Sequence, residues 1–108
     1  MSLLERAIEL AVHHHKGQQD KQGQPYILHP LYLMMQMQNE AEMITAVLHD
    51  TIEDTPLTLE DLREEGFPEA ILTALTLLTH DEQVPYMDYI EQIKHNPLAR
   101  AVKRADLA

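Results

Sequence analysis

The chain contains no cysteine and no tryptophan. The first absence excludes disulfides and thiolate metal sites. It also fits a reducing compartment, so the expected location is the cytoplasm. Aromatic residues make up only 5% of the sequence, so the core must be aliphatic, built from Leu, Ile, Val, Ala and six Met. Basic charge is scarce as well. Lys and Arg number 8 against 18 Asp and Glu, a net charge of −10 with His neutral. Such a surface repels phosphate backbones and anionic lipid, so neither nucleic acid nor a membrane is an expected partner. No apolar run approaches the roughly 18 residues of a membrane span. Met1-Ser2-Leu3-Leu4-Glu5-Arg6 lacks the basic start and long apolar stretch of a signal peptide.

What is present is ordinary for a globular domain: 108 residues, 44% hydrophobic and 24% charged. That length suits one domain. A chain this short buries only about two thirds of its unfolded surface, so its stability is modest unless a metal, a partner subunit or further chain adds to it. The seven His residues are the unusual part, three of them consecutive at His13, His14 and His15.

Helical signals recur along the chain. Ser2 and Glu5 have capping-box spacing, and Leu4, Ile8, Ala11 and Val12 follow at helical period, predicting a helix over residues 3 to 15. Residues 16 to 28 hold Gly17, Gly23 and Pro25 without a sustained period and read as a loop. His29-Pro30 starts a second helix, with Pro in its first turn. Its Met34, Met35 and Met37, with Met43 in the next helix, read as core filler. Asn39 with Glu42 caps that next helix, whose Met43, Ile44, Val47 and Leu48 run into His49-Asp50. Thr58 with Asp61 caps a short helix that Gly66 ends. Pro68 and Pro85 open two more, and Asn96-Pro97 precedes the last. No segment joins β-branched enrichment to strict alternation, so the expected fold is all-α, a compact bundle of about seven short helices.

The segment His49-Asp50-Thr51-Ile52-Glu53-Asp54 concentrates four ionisable groups at the end of an apolar helix. His49 and Glu53, and Asp50 and Asp54, stand at i and i+4. A solvated helix end with acidic decoration is the plain reading. Against it, the negative end of a helix disfavours acids, and like charges at this spacing repel. A divalent cation would remove the repulsion. His29 before Pro30 and Asp106 near the end are uninformative alone: a helix cap and a surface acid.

Together these residues resemble the metal ligands of the HD superfamily of phosphohydrolases. Three blocks are similar to the hydrolase domain of RelA/SpoT enzymes and of the small alarmone hydrolases. They are Ala11-Val12-His13-His14-His15-Lys16-Gly17-Gln18, Gly23-Gln24-Pro25-Tyr26-Ile27-Leu28-His29-Pro30-Leu31, and Ala46-Val47-Leu48-His49-Asp50-Thr51-Ile52-Glu53-Asp54-Thr55. Leu75-Thr76-Leu77-Leu78-Thr79 and Val102-Lys103-Arg104-Ala105-Asp106 follow in the family's order.

The resemblance implies one HD-type domain over residues 1–108, lacking the family's C-terminal helices. It implies His29, His49, Asp50 and Asp106 as ligands of one metal, manganese; the donor types alone also allow iron or zinc. It implies Glu53 and Asp54 as the catalytic residues that orient and deprotonate water. The reaction implied is removal of the 3′-pyrophosphate from guanosine tetra- or pentaphosphate. Lys16, Lys21, Tyr26 and Lys103 are the candidate contacts to this polyphosphate. Where the family carries a basic pair, this chain reads Asp20-Lys21, and Asp offers no flat cation to a base. The alternatives are a nucleotide phosphatase or pyrophosphatase of other base specificity, or an inactive sensor or structural module. An apolar face on the last helix is compatible with a homo-oligomer.

Overall fold

Side-chain caps legible in the sequence set where several of the helices begin. In a computed structural model that describes residues 1–79 and 83–107, seven helices form and no strand is present among the described residues. They are α1 (Leu3–His15), α2 (Leu28–Met35), α3 (Glu40–Asp54), α4 (Leu59–Glu64), α5 (Glu69–Leu78), α6 (Tyr86–Lys94) and α7 (Pro97–Leu107). The seven-helix, all-α expectation is borne out. None of these helices is long and apolar enough to cross a membrane.

Four of the starts carry a side-chain cap. At α1 the Ser2 hydroxyl accepts from Glu5 N (3.1 Å) while the Glu5 carboxylate accepts from Ser2 N (2.8 Å). Asn39 Oδ1 accepts from Glu42 N at α3 (2.9 Å), and Asn96 Oδ1 from Ala99 N at α7 (3.0 Å). The end of α4 is a Schellman turn: Gly66 N donates to Arg63 O and Phe67 N to Leu62 O, both 3.1 Å, with Gly66 at φ +94. Leu62 and Phe67 are both buried, which completes the motif's apolar contact. The helix α2 starts at Leu28, one residue before the expected His29, because Leu31 N already donates to Ile27 O.

The third helix is central, packed on α1, α2, α5 and α7. Ile44 to Thr51 is buried on every side, the pattern of a helix enclosed by others. Its Leu48 and Val47 lie in a cluster with Leu10, Leu62 and Leu72, and Ala46 faces a second cluster with Leu78, Tyr89 and Val102. Burying one such Leu contributes about 1.5–3 kcal/mol. Consequently His49 and Asp50 are carried out of the core at a fixed depth. Among the methionines, Met34 is buried, whereas Met35 is 69% exposed and fills no core.

Candidate active site

Five parts of the chain meet at one cavity of about 400 Å³. The loop before α2 supplies Tyr26 and the first turn of α2 supplies His29. The C-terminal half of α3 supplies His49, Asp50, Glu53 and Asp54. Tyr86 and Tyr89 come from α6, and Lys103 and Asp106 from α7. The i and i+3 spacing of Lys103 and Asp106 turns both to one face, while Ala99 and Val102 are buried beneath α7.

His29 Nε2 lies 3.3 Å from Asp50 Oδ2 and 3.7 Å from Asp106 Oδ1. His49 Nδ1 lies 3.6 Å from Asp50 Oδ1, and His49 Nε2 lies 3.4 Å from Glu53 Oε2. Donor atoms of His49, Asp50 and Glu53 all fall within 4.8 Å of one another. His29 and Asp106 join this group through the contacts of His29. The structure thus brings all four expected ligands, and both expected catalytic acids, to the same cavity.

Two observations make the group fit for a metal ion. His49 Nδ1 and Asp50 Oδ2 are buried with no hydrogen-bond partner among the described residues. Buried polar atoms are normally paired, and an orphan calls for an ion or water. Four carboxylates also line the cavity, from Asp50, Glu53, Asp54 and Asp106, and their repulsion falls when a cation sits among them. A mixed imidazole and carboxylate donor set suits a borderline-to-hard divalent ion.

Tyr26 packs its ring 5.1 Å from that of His15 and 6.0 Å from that of His29. Burial, then the charges of Asp50 and Asp54, push its hydroxyl well above the usual phenol range. The hydroxyl therefore stays a donor. Beneath it, the buried His15 hydrogen-bonds Thr51 Oγ1 through Nε2 at 3.0 Å, and Gln18 Oε1 lies 2.9 Å from His15 Nδ1. This ties the end of α1 and the following loop to α3 beside Asp50. One member of the three-histidine run is thus a buried strut.

Lys16 and Lys21 are exposed on the loop after α1 and are not among the residues lining the cavity. Asp20 organises that loop: its Oδ1 accepts from Gln22 N (2.8 Å) and Gln24 N (2.9 Å). Sequence reasoning missed Tyr86 and Tyr89 as cavity residues. Only the packing of α6 against α7 brings them to the site.

No family model matches the chain. It is 35% identical over 117 aligned residues to the guanosine-3′,5′-bis(diphosphate) 3′-pyrophosphohydrolase MESH1 of Mus musculus, covering 96% of this chain and 64% of that protein. It is 34% identical over 87 residues to the guanosine-3′,5′-bis(diphosphate) 3′-pyrophosphohydrolase of Aquifex aeolicus, covering 77% of this chain and 12% of that protein. The chain therefore spans less than two thirds of the length of either relative. The solved structure of a metazoan ortholog of SpoT, described as hydrolysing ppGpp, superimposes with a TM-score of 0.78 at 23% identity, over 98% of this chain and 67% of that one. That likeness establishes the helical fold. The resemblance read from the motifs is borne out: proteins named as these pyrophosphohydrolases are homologues over nearly the whole chain.

Proposed function

We propose that this chain, a homologue of the guanosine-3′,5′-bis(diphosphate) 3′-pyrophosphohydrolases, is a metal-dependent hydrolase that removes the 3′-pyrophosphate from guanosine tetra- or pentaphosphate. The observation that carries this reading is the convergence of His29, His49, Asp50 and Asp106 from α2, α3 and α7 around two orphaned buried donor atoms. These four residues would hold the ion, which we take to be Mn²⁺. When bound it lowers the pKa of water and polarises a phosphoryl oxygen.

The chain's own groups do the rest. Glu53 and Asp54, one turn beyond Asp50, orient the attacking water and accept its proton. The water oxygen bonds to the phosphorus next to the ribose and the bond to the 3′ oxygen breaks. The ribose oxygen takes up the proton that Glu53 or Asp54 received from the water, as pyrophosphate leaves. Tyr26 keeps its proton and donates a hydrogen bond to a phosphate oxygen, and Lys103 faces the same anion. The two apolar clusters share Leu98 at their margin, which supports reading residues 1–108 as one HD-type domain.

A second substrate reading has its own observation. The Asp20 carboxylate is tied to the backbone of Gln22 and Gln24 and offers no cationic plane for guanine. A nucleotide hydrolase of broader base preference follows from it. The test is pyrophosphate release from guanosine and adenosine 3′-pyrophosphates in the presence of Mn²⁺. The leading reading expects turnover of the guanosine substrate, abolished by Asp50→Asn and by Glu53→Gln with Asp54→Asn. Equal turnover of both bases selects the second. No turnover of either, with ion bound, overturns both.

A further inference from the structure

Lys103 is the only Lys or Arg among the described residues lining the cavity, which it shares with four carboxylates. An ammonium among so many acids is expected to collapse onto one of them. It does not. Among the described residues no carboxylate lies within ion-pairing distance of Lys103, whereas His29 and His49 contact Asp50, Asp106 and Glu53. Instead the Lys103 Nζ stands over the Tyr89 ring, 5.3 Å from its centroid. A cation at this distance is attracted by the negative face of the ring.

Tyr89 is built to be a fixed platform. It is 5% exposed, and its hydroxyl donates to Leu78 O at the end of α5 over 2.9 Å. The ring is thus held at one end by the backbone of α6 and at the other by α5. Lys103 and Asp106 lie on the same face of α7, so a cation parked on Tyr89 stays level with the proposed ligand Asp106 without pairing with it.

From this geometry we infer that Tyr89 is a positioning residue, which holds the Lys103 ammonium away from the protein's own carboxylates and open to the substrate's pyrophosphate. A ring face attracts a cation without competing through a formal charge, so an arriving phosphate captures the ammonium without first breaking an ion pair. Aspartate or glutamate at position 89 would neutralise Lys103, and an aliphatic residue would release it to Glu53, Asp54 or Asp106.

The inference rests on reading the cavity as a polyphosphate site, and its test does not depend on turnover. Inorganic pyrophosphate is titrated calorimetrically into the Mn²⁺-loaded protein, for the wild type, Tyr89→Phe, Tyr89→Leu, Lys103→Met and the double variant Tyr89→Leu/Lys103→Met. In parallel, NMR follows the Lys103 ε-methylene, which a ring beneath it shifts upfield. The expected result is an upfield-shifted methylene in the wild type and in Tyr89→Phe, with pyrophosphate affinity in Tyr89→Phe within about twofold of wild type. Affinity falls roughly three- to thirtyfold in Tyr89→Leu, and no further in the double variant than in Lys103→Met. The inference is overturned by unchanged affinity in Tyr89→Leu, or by losses that multiply in the double variant. A wild-type methylene at its random-coil position also overturns it, and that readout stands even if Tyr89→Leu does not fold. A protein that meets these expectations and hydrolyses no nucleotide refutes the hydrolase reading instead.

Discussion

His29 Nε2 and Asp106 Oδ1 stand 3.7 Å apart, although one residue lies in the first turn of α2 and the other in the last turn of α7. The candidate site therefore exists only when α7 is docked on α3 and α2. Asp106→Asn keeps the side chain's shape and removes its charge. We expect Mn²⁺ affinity, measured by titration calorimetry, to fall by more than about tenfold. The thermal midpoint without metal should hold or rise, since one of four crowded carboxylates is gone.

Metal binding should stabilise the fold, because the ion offsets carboxylate repulsion present only in the folded state. At free Mn²⁺ about 100 times its dissociation constant the linkage contribution is ~2.7 kcal/mol. For a domain of this size that is a rise in Tm on the order of 10 °C. Calorimetric scans with metal and with excess chelator measure it. His49→Ala should show no metal-dependent shift.

The helices were legible because their starts are chemical. Ser2 with Glu5, Asn39 with Glu42, and Thr58 with Asp61 each announce a start that a hydrogen bond then makes. The proposed ligands were legible only through their ordered resemblance to a family, since His29 and Asp106 carry no signal alone. Tyr86 and Tyr89 were not legible, because aromatic residues at helical spacing describe a buried stripe equally well. Lys16 and Lys21 read as substrate contacts from loop position, and a loop's path over the surface is not encoded in its charge.

His15→Ala removes the buried bond to Thr51, whose hydroxyl keeps only its bond to Val47 O, and opens a void beneath Tyr26. We expect a loss of about 1–3 kcal/mol in urea unfolding. We also expect weaker Mn²⁺ binding, because the strut holds α3 beside Asp50. Loss of stability with unchanged metal affinity would limit His15 to a packing role.

Acid should lower the stability of the protein in two windows. Burial, and the adjacent His13, hold His14 below its ordinary value of 6.5, so the folded state resists protonation there. That stability is complete above this value and is lost as the pH falls below it. Hydrogen bonds from Ser2, Arg6 and Arg63 hold Glu5, Glu65 and Glu69 below the ordinary 4.5, so their contribution is present above 4.5 and lost on further acidification. Thermal midpoints recorded from pH 8 to 3 should fall in both windows. His14→Gln should flatten the first and Glu65→Gln part of the second.

The most direct test of the account is anomalous scattering at the manganese edge from crystals grown with Mn²⁺. The account predicts one strong peak per chain, within roughly 2.0–2.3 Å of donor atoms from His29, His49, Asp50 and Asp106. A peak seated on other residues, or no peak in this cavity at saturating ion, would contradict it.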